Sequence, residues 1–187
     1  MLEVDFDSSS LNVILEGLSD SELRQALEDA GQVIILSTNV GYTRGVDPEG
    51  NKWAPNPSWY SDMKGGSAPL TGPTSTSIQG GQWSGSFEFK KINMIRMKNA
   101  LEKDVGKSSV TVRYMPSVDE RAQATQEGGP GTIELVNKKT GNTVQVNVNI
   151  QPRKHLGIAD KYARLGGKTD IEHIIDIFES MVSAKLL

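Results

Sequence analysis

Residues that usually carry chemistry are sparse in this chain. Of 187 residues two are histidine, His155 and His173, and none is cysteine. The histidines show no H-E-x-x-H or similar spacing, so neither is expected to hold a metal or serve a triad. His173 flanks an apolar stripe and reads as a surface or interface residue. Without cysteine there are no disulfides, thiolate nucleophiles or cysteine-based zinc sites. Gly106-Lys107-Ser108 matches the end of a phosphate-binding loop, but that motif needs Gly where Leu101 stands. The segment reads instead as a helix end with a solvated lysine. Asp47-x-Glu49-x-Asn51 opens like a calcium loop. Its sixth place is Lys52 rather than Gly and its twelfth is Ser58 rather than Glu, so the bidentate carboxylate is missing. No G-x-S-x-G occurs, and Gly128-Gly129-Pro130-Gly131 is broken by proline as a phosphate cradle. The expectation is a protein with no catalytic residue, no metal ligand and no cofactor, and hence not an enzyme.

Composition points the same way. Lys and Arg total 20 against 23 for Asp and Glu, a net charge of -3. Duplex nucleic-acid binders carry clustered positive charge. The one basic cluster is Lys90, Lys91, Arg96, Lys98 and Lys103, on a helix predicted from Ile92, Ile95, Met97 and Leu101. A nucleic-acid-binding accessory module using this 90–103 helix is the alternative function. Glu88, Glu102 and Asp104 interrupt the cluster and favour a solvated face. The longest apolar run, Val33-Ile34-Ile35-Leu36, is far short of the ~18 residues that span a bilayer. The first seven residues are acidic and lack the basic and apolar regions of a signal peptide, so synthesis and residence in a reducing cytoplasm are expected.

The elements that would position any site read as follows. Leu11, Ile14, Leu15 and Leu18 recur at helical spacing. Ser19-Asp20-Ser21-Glu22 is a capping box, and Leu23, Leu27, Ala30 and Ile34 continue an apolar face to about Tyr42. Gly31 and Gly41 inside this span each cost ~1 kcal/mol relative to Ala, which points to close packing against another helix or another subunit. Asp47-Pro48-Glu49-Gly50 is a turn. From 45 to 86 no period survives, yet Trp53, Trp59 and Tyr60 argue against simple disorder. Trp53 is either a core residue closing this loop onto the long helix or an interface anchor. Val110, Val112 and Tyr114 alternate as a half-buried strand that Pro116 ends, and 117–131 reads as polar and turn-rich. Residues 133–136 and 144–150 form a β-hairpin. Thr169-Asp170-Ile171-Glu172 caps a last helix striped by Ile171, Ile174, Ile175, Phe178, Met181 and Val182.

The class is α+β in a single domain, 1–187: a small antiparallel sheet with a β-hairpin, packed by a long N-terminal helix and a C-terminal amphipathic helix. The parts are helical 1–44, an extended Trp/Pro/Gly loop 45–86, and helix, sheet and C-terminal helix over 87–187.

Four segments carry a resemblance. Gly45-Val46-Asp47-Pro48-Glu49-Gly50-Asn51-Lys52-Trp53-Ala54-Pro55 resembles the G-x-D-P-x-G-x-x-W-x-P signature of the phage virion morphogenesis (tail completion) family of Mu-like and related tailed phages. Leu70-Thr71-Gly72 with Ser77-Ile78, then Gln126-Glu127-Gly128-Gly129, then Pro152-Arg153-Lys154-His155-Leu156-Gly157-Ile158 are similar to its later segments, in family order. The family's tyrosine-alanine pair and histidine are replaced here by Arg121-Ala122-Gln123-Ala124-Thr125. The resemblance implies a structural protein of the head–tail junction or tail end, located in the virion and without catalytic residues. It implies a ring of copies, six-fold as tails and connectors are. The ring would contact neighbouring connector, terminator, tube or sheath proteins and let the genome pass without specific binding, with no membrane partner. The implied structural and interface residues are Asp47, Pro48, Gly50, Trp53, Trp59, Pro152, Arg153, Leu156 and Gly157.

Overall fold

The computed structural model describes residues 1–11, 18–55, 87–89, 97, 100–137 and 139–184. In chain order these form β1 (Glu3–Asp7), a 3-10 turn (Ser8–Leu11), α1 (Asp20–Arg44), β2 (Phe87–Phe89), β3 (Leu101–Val105), β4 (Ser109–Tyr114), α2 (Pro116–Glu127), β5 (Gly129–Asn137), β6 (Thr143–Ile150) and α3 (Asp170–Ser183). The strands make two antiparallel sheets, ordered β1-β4-β3 and β2-β5-β6. The architecture is α+β, as the order of elements implied.

Two capping boxes fix helix starts as read from sequence. Ser19 N–H donates to Glu22 Oε2 at 2.7 Å. Thr169 N–H donates to Glu172 Oε2 at 2.7 Å, and Glu172 N–H returns a bond to Thr169 Oγ1 at 3.2 Å. α1 buries Ala26, Leu27, Ala30 and Ile34 against β3, β4 and α3. Val110, Val112 and Tyr114 on β4, Phe6 on β1, Val118 and Ala122 on α2, and Ile174 and Phe178 on α3 complete the core. The Phe6 and Phe178 rings lie 6.3 Å apart.

Several expectations need correction. The chain opens with a strand, not a helix: β1 pairs antiparallel with β4, Val4 opposite Val112. Leu2, Val4 and Phe6 alternate with Glu3, Asp5 and Asp7, a period of two. Leu11 ends a 3-10 turn, and the remainder of the first predicted helix lies mostly outside the described residues. The 90–103 helix does not hold at its C-terminal end, where Leu101–Val105 is β3, paired with β4. Gly106-Lys107-Ser108 is therefore a hairpin turn, closed by Gly106 N–H to Ser109 O at 2.8 Å, not a helix end. Lys90, Lys91, Arg96 and Lys98 lie outside the described residues. Lys103 donates from Nζ to the Glu28 carbonyl at 2.8 Å. Pro116 ends β4 but also opens α2 at its first turn, where its missing N–H costs nothing. The segment 117–127 is thus helical, with Val118, Ala122 and Thr125 buried on one face. The hairpin is longer than read, starting at Gly129.

Gly31 does mark a close approach, but to a strand of the same chain. A Cβ there would lie 2.8 Å from Val110 Cγ2. Gly31→Ala is expected to destabilise the fold although Ala gains ~1 kcal/mol in a helix, because overpacking costs ~1–3 kcal/mol. Urea denaturation checks this, and adding Val110→Ala should relieve part of the Gly31→Ala cost.

Candidate functional site

α1 ends at Gly45, which takes a left-handed φ of 67° and caps the helix through its N–H to Gly41 O at 2.8 Å. The chain then turns through the first signature segment. Asp47 accepts from Asn51 N–H at 2.7 Å and from Asn51 Nδ2 at 3.0 Å, while its own N–H donates to Asn51 O at 2.9 Å. The carboxylate that suggested a calcium loop is thus occupied in holding the turn. Gly50 has φ 88°, and a Cβ there would fall 2.5 Å from the Tyr162 ring, so only glycine fits. Trp53 N–H returns to Gly45 O at 2.8 Å, closing the loop at its base.

The last signature segment packs directly on this turn. A Cβ on Gly157 would lie 2.9 Å from Pro48 Cγ. Lys154 pairs with Glu49 at 2.6 Å. The Trp53 indole Nε1–H donates to the Lys154 carbonyl at 2.9 Å, across 101 positions of sequence. Arg153, only 6% exposed, donates from Nη2 to Ala54 O at 3.2 Å. The third segment joins them. Gln126 Oε1 accepts from both His155 N–H and Leu156 N–H at 3.1 Å, and Arg153 N–H donates to Thr125 O at 2.9 Å. Gly128 follows with φ 72°, where a Cβ would lie 2.7 Å from Pro152 N. Of the residues singled out from sequence, Asp47, Pro48, Gly50, Trp53, Pro152, Arg153, Leu156 and Gly157 thus belong to one packed unit. Trp59 and the 70–78 segment lie outside the described residues.

Trp53 is 8% exposed and meets Tyr42 of α1 edge to face, with ring centroids 5.6 Å apart. Its position is that of the core residue closing the loop onto the long helix.

Beneath the signature unit lies a polar chain that sequence reasoning missed. Tyr42 and Tyr114 hydroxyls are 2.7 Å apart, Tyr114 Oη is 2.8 Å from His155 Nδ1, and His155 Nε2 is 3.2 Å from Ala122 O. A carbonyl can only accept, so Nε2 carries the proton and Nδ1 accepts from Tyr114. Tyr114 in turn accepts from Tyr42. The chain therefore runs one way, Tyr42 to Tyr114 to His155 to Ala122. The Tyr42 ring also stacks on the imidazole at 5.5 Å. Burial raises the pKa of both tyrosines and lowers that of His155 to about 4. These hydroxyls are neutral structural links at any ordinary pH.

The depressed histidine makes stability depend on pH. Its folded pKa is below the unfolded value of ~6.5, so above pH ~6.5 both states are neutral and stability is full. As pH falls toward about 4 the unfolded chain takes up a proton that the folded chain refuses. Stability should fall over this window by an amount on the order of 3 kcal/mol. Urea midpoints between pH 7 and pH 4 check this, and His155→Gln should flatten the His155 part of the dependence.

A second buried polar pair sits at the start of α3. Arg164 and Asp170 are both fully buried and meet at 2.8 Å, Nη2 to Oδ2. The same Oδ2 accepts from Ala159 N–H at 2.8 Å, and Nη2 also donates to Gly157 O at 2.7 Å. The pair thus ties the last signature segment to α3. His173 donates to Leu165 O at 2.8 Å and holds the turn before that helix.

No family model, curated protein or solved structure matches this chain. Among the described residues no helix is long and apolar enough to cross a membrane. No group of three or more His, Asp or Glu among them could hold a metal ion.

Proposed function

We propose that this chain is a structural subunit of a tailed-phage virion, at the head–tail junction or tail end, assembling as a homo-oligomeric ring. One observation carries the reading. Three segments that resemble the tail completion family, at 45–55, 126–129 and 152–158, pack into one unit, and the motif residues within it have mechanical tasks. Asp47 and Gly50 form a turn, Gly157 admits Pro48, Trp53 and Arg153 bond to facing backbone, and Leu156 fills core. A motif of this kind preserves a shape rather than a reaction, which fits an assembly part. The mild negative charge suits a ring through which DNA slides without sticking. Ring closure needs heterologous side faces, and the Gly45–Pro55 turn and the polar face of the β5–β6 hairpin, as distinct from the edge of β6, are the candidate faces. The nucleic-acid reading is the weaker one, because the helix it required gives way to β3 at Leu101.

Native mass spectrometry of the purified protein, with electron microscopy of the same sample, tests the ring. The expected result is a closed ring, six-fold by analogy with tails. A chain that stays monomeric and is absent from purified virions would overturn the reading.

A further inference from the structure

Edge strands invite other strands, and proteins usually protect them with charge, proline or a bulge. Among the described strands, β1 carries Glu3, Asp5 and Asp7, β2 carries Glu88, and β3 carries Glu102, Lys103 and Asp104. β6 is different. Its eight residues, Thr-Val-Gln-Val-Asn-Val-Asn-Ile, include no charge, no proline and no glycine. It is an outer strand of its sheet, pairing with β5 from Val136 opposite Thr143 to Gly129 opposite Ile150. Among the described residues no strand pairs with its other edge. Thr143, Val144, Gln145, Asn147 and Asn149 are exposed, Val144 at 42%.

The ladder shows which groups face out. Asn137 N–H donates to Asn142 O at 2.9 Å, and bonded pairs alternate with unbonded ones along an antiparallel ladder. Val144, Val146, Val148 and Ile150 therefore turn their backbone groups toward β5. Thr143, Gln145, Asn147 and Asn149 turn theirs outward. The close side-chain approach of Thr132 and Asn147, 3.2 Å between Oγ1 and Oδ1, is that of an unbonded pair and agrees.

We propose that the outer edge of β6 binds the β6 edge of a second copy of this chain, antiparallel about a two-fold axis. Charge decides the partner. A strand paired with its own copy about a two-fold axis sets each residue opposite itself or a near neighbour, so a strand carrying like charges, as β1 does, repels its copy while a neutral one carries no such penalty. Outward groups must meet outward groups, so polar residues face polar ones and valines face valines. The two registers of longest overlap pivot on Val146 or on Asn147. Either one joins the two sheets in the order β2-β5-β6-β6-β5-β2 and merges two valine rows on one face. The contact closes after two copies, so it is separate from the side faces of a ring and does not depend on the phage reading.

Sedimentation velocity of the full chain over a concentration series tests this at pH 7. The expected wild-type result is a reversible twofold association step, monomer to dimer or ring to paired rings. Asn147→Pro removes an outward N–H while sparing the bonds to β5, since proline is tolerated on the open side of an edge strand. It should weaken the dimer at least tenfold. Gln145→Lys with Asn147→Lys places lysine opposite lysine in both registers. It should do the same at low salt and recover in part at high salt, where the repulsion is screened. Thermal melts monitored at low protein concentration show that the variants fold. A wild-type chain that is monomeric throughout, or folded variants that dimerise as the wild type does, overturns the proposal. A six-copy wild-type ring with no twofold association step overturns the role given to β6 and leaves the ring reading standing.

Discussion

Arg164→Met should destabilise the isolated chain by about 3–5 kcal/mol, the cost of leaving a buried charge without its partner. Asp170 is fully buried beside it and accepts from Arg164 Nη2 and Ala159 N–H. Among the described residues Arg164 Nε and Nη1 and Asp170 Oδ1 have no hydrogen-bond partner, so the pair is only partly satisfied and its net contribution to stability is small. Breaking one side is nonetheless severe, because the carboxylate loses its cation and stays in the core. For a chain of this size each kcal/mol moves the melting midpoint by ~2–4 °C, so a drop of about 10 °C is expected. Adding Asp170→Asn removes the stranded charge while keeping an oxygen for Ala159 N–H. The double variant should be more stable than Arg164→Met alone, a strongly non-additive cycle. A single-variant loss below ~1 kcal/mol would show that the pair is open to water in solution.

Trp53→Ala is the second large effect. The indole packs on Tyr42, bonds to the Lys154 carbonyl and is nearly buried. Removing a core aromatic costs ~3–5 kcal/mol, and the Lys154 carbonyl also loses its donor. The isolated subunit should therefore melt lower, before any assembly is considered. Trp53→Phe keeps the ring contact but loses the hydrogen bond, so it should cost ~1 kcal/mol. Had Trp53 been an interface anchor, Trp53→Ala would melt like the wild type and fail only in ring formation. Differential scanning calorimetry on the dilute protein separates the two outcomes.

Local signals in the sequence were reliable where the determinants were local. Ser19 with Glu22 and Thr169 with Glu172 mark helix starts because both partners of each capping box lie within one turn. The α3 stripe of Ile174 and Phe178 and the β4 alternation of Val110, Val112 and Tyr114 translate directly into buried faces. The failures have physical reasons. Leu101-Glu102-Lys103 favours helix on its own, but pairing with β4 overrides that preference. Pro116 stops the strand, but a proline is equally at home in the first turn of a helix. Leu2, Val4 and Phe6 alternate as a strand does, but the helical spacing of Leu11, Ile14, Leu15 and Leu18 is the stronger pattern nearby.

The candidate site was half visible. Turn chemistry marked Asp47, Pro48 and Gly50, and the resemblance marked Pro152, Arg153, Leu156 and Gly157. Nothing local says that these two segments touch, since the bonds joining them cross about a hundred positions. The Tyr42, Tyr114 and His155 chain is hidden for the same reason, its members being 72 and 41 positions apart. Arg164 and Asp170 look like ordinary surface charges until the fold buries them.

The proposed function is tested most directly by removing the gene from the phage genome that would carry it and imaging the particles by electron microscopy. Filled heads and tails that fail to join, or tails of defective end structure, are expected, with assembly restored when the protein is supplied in trans. Joined, infectious particles produced at the wild-type yield without this chain would contradict it.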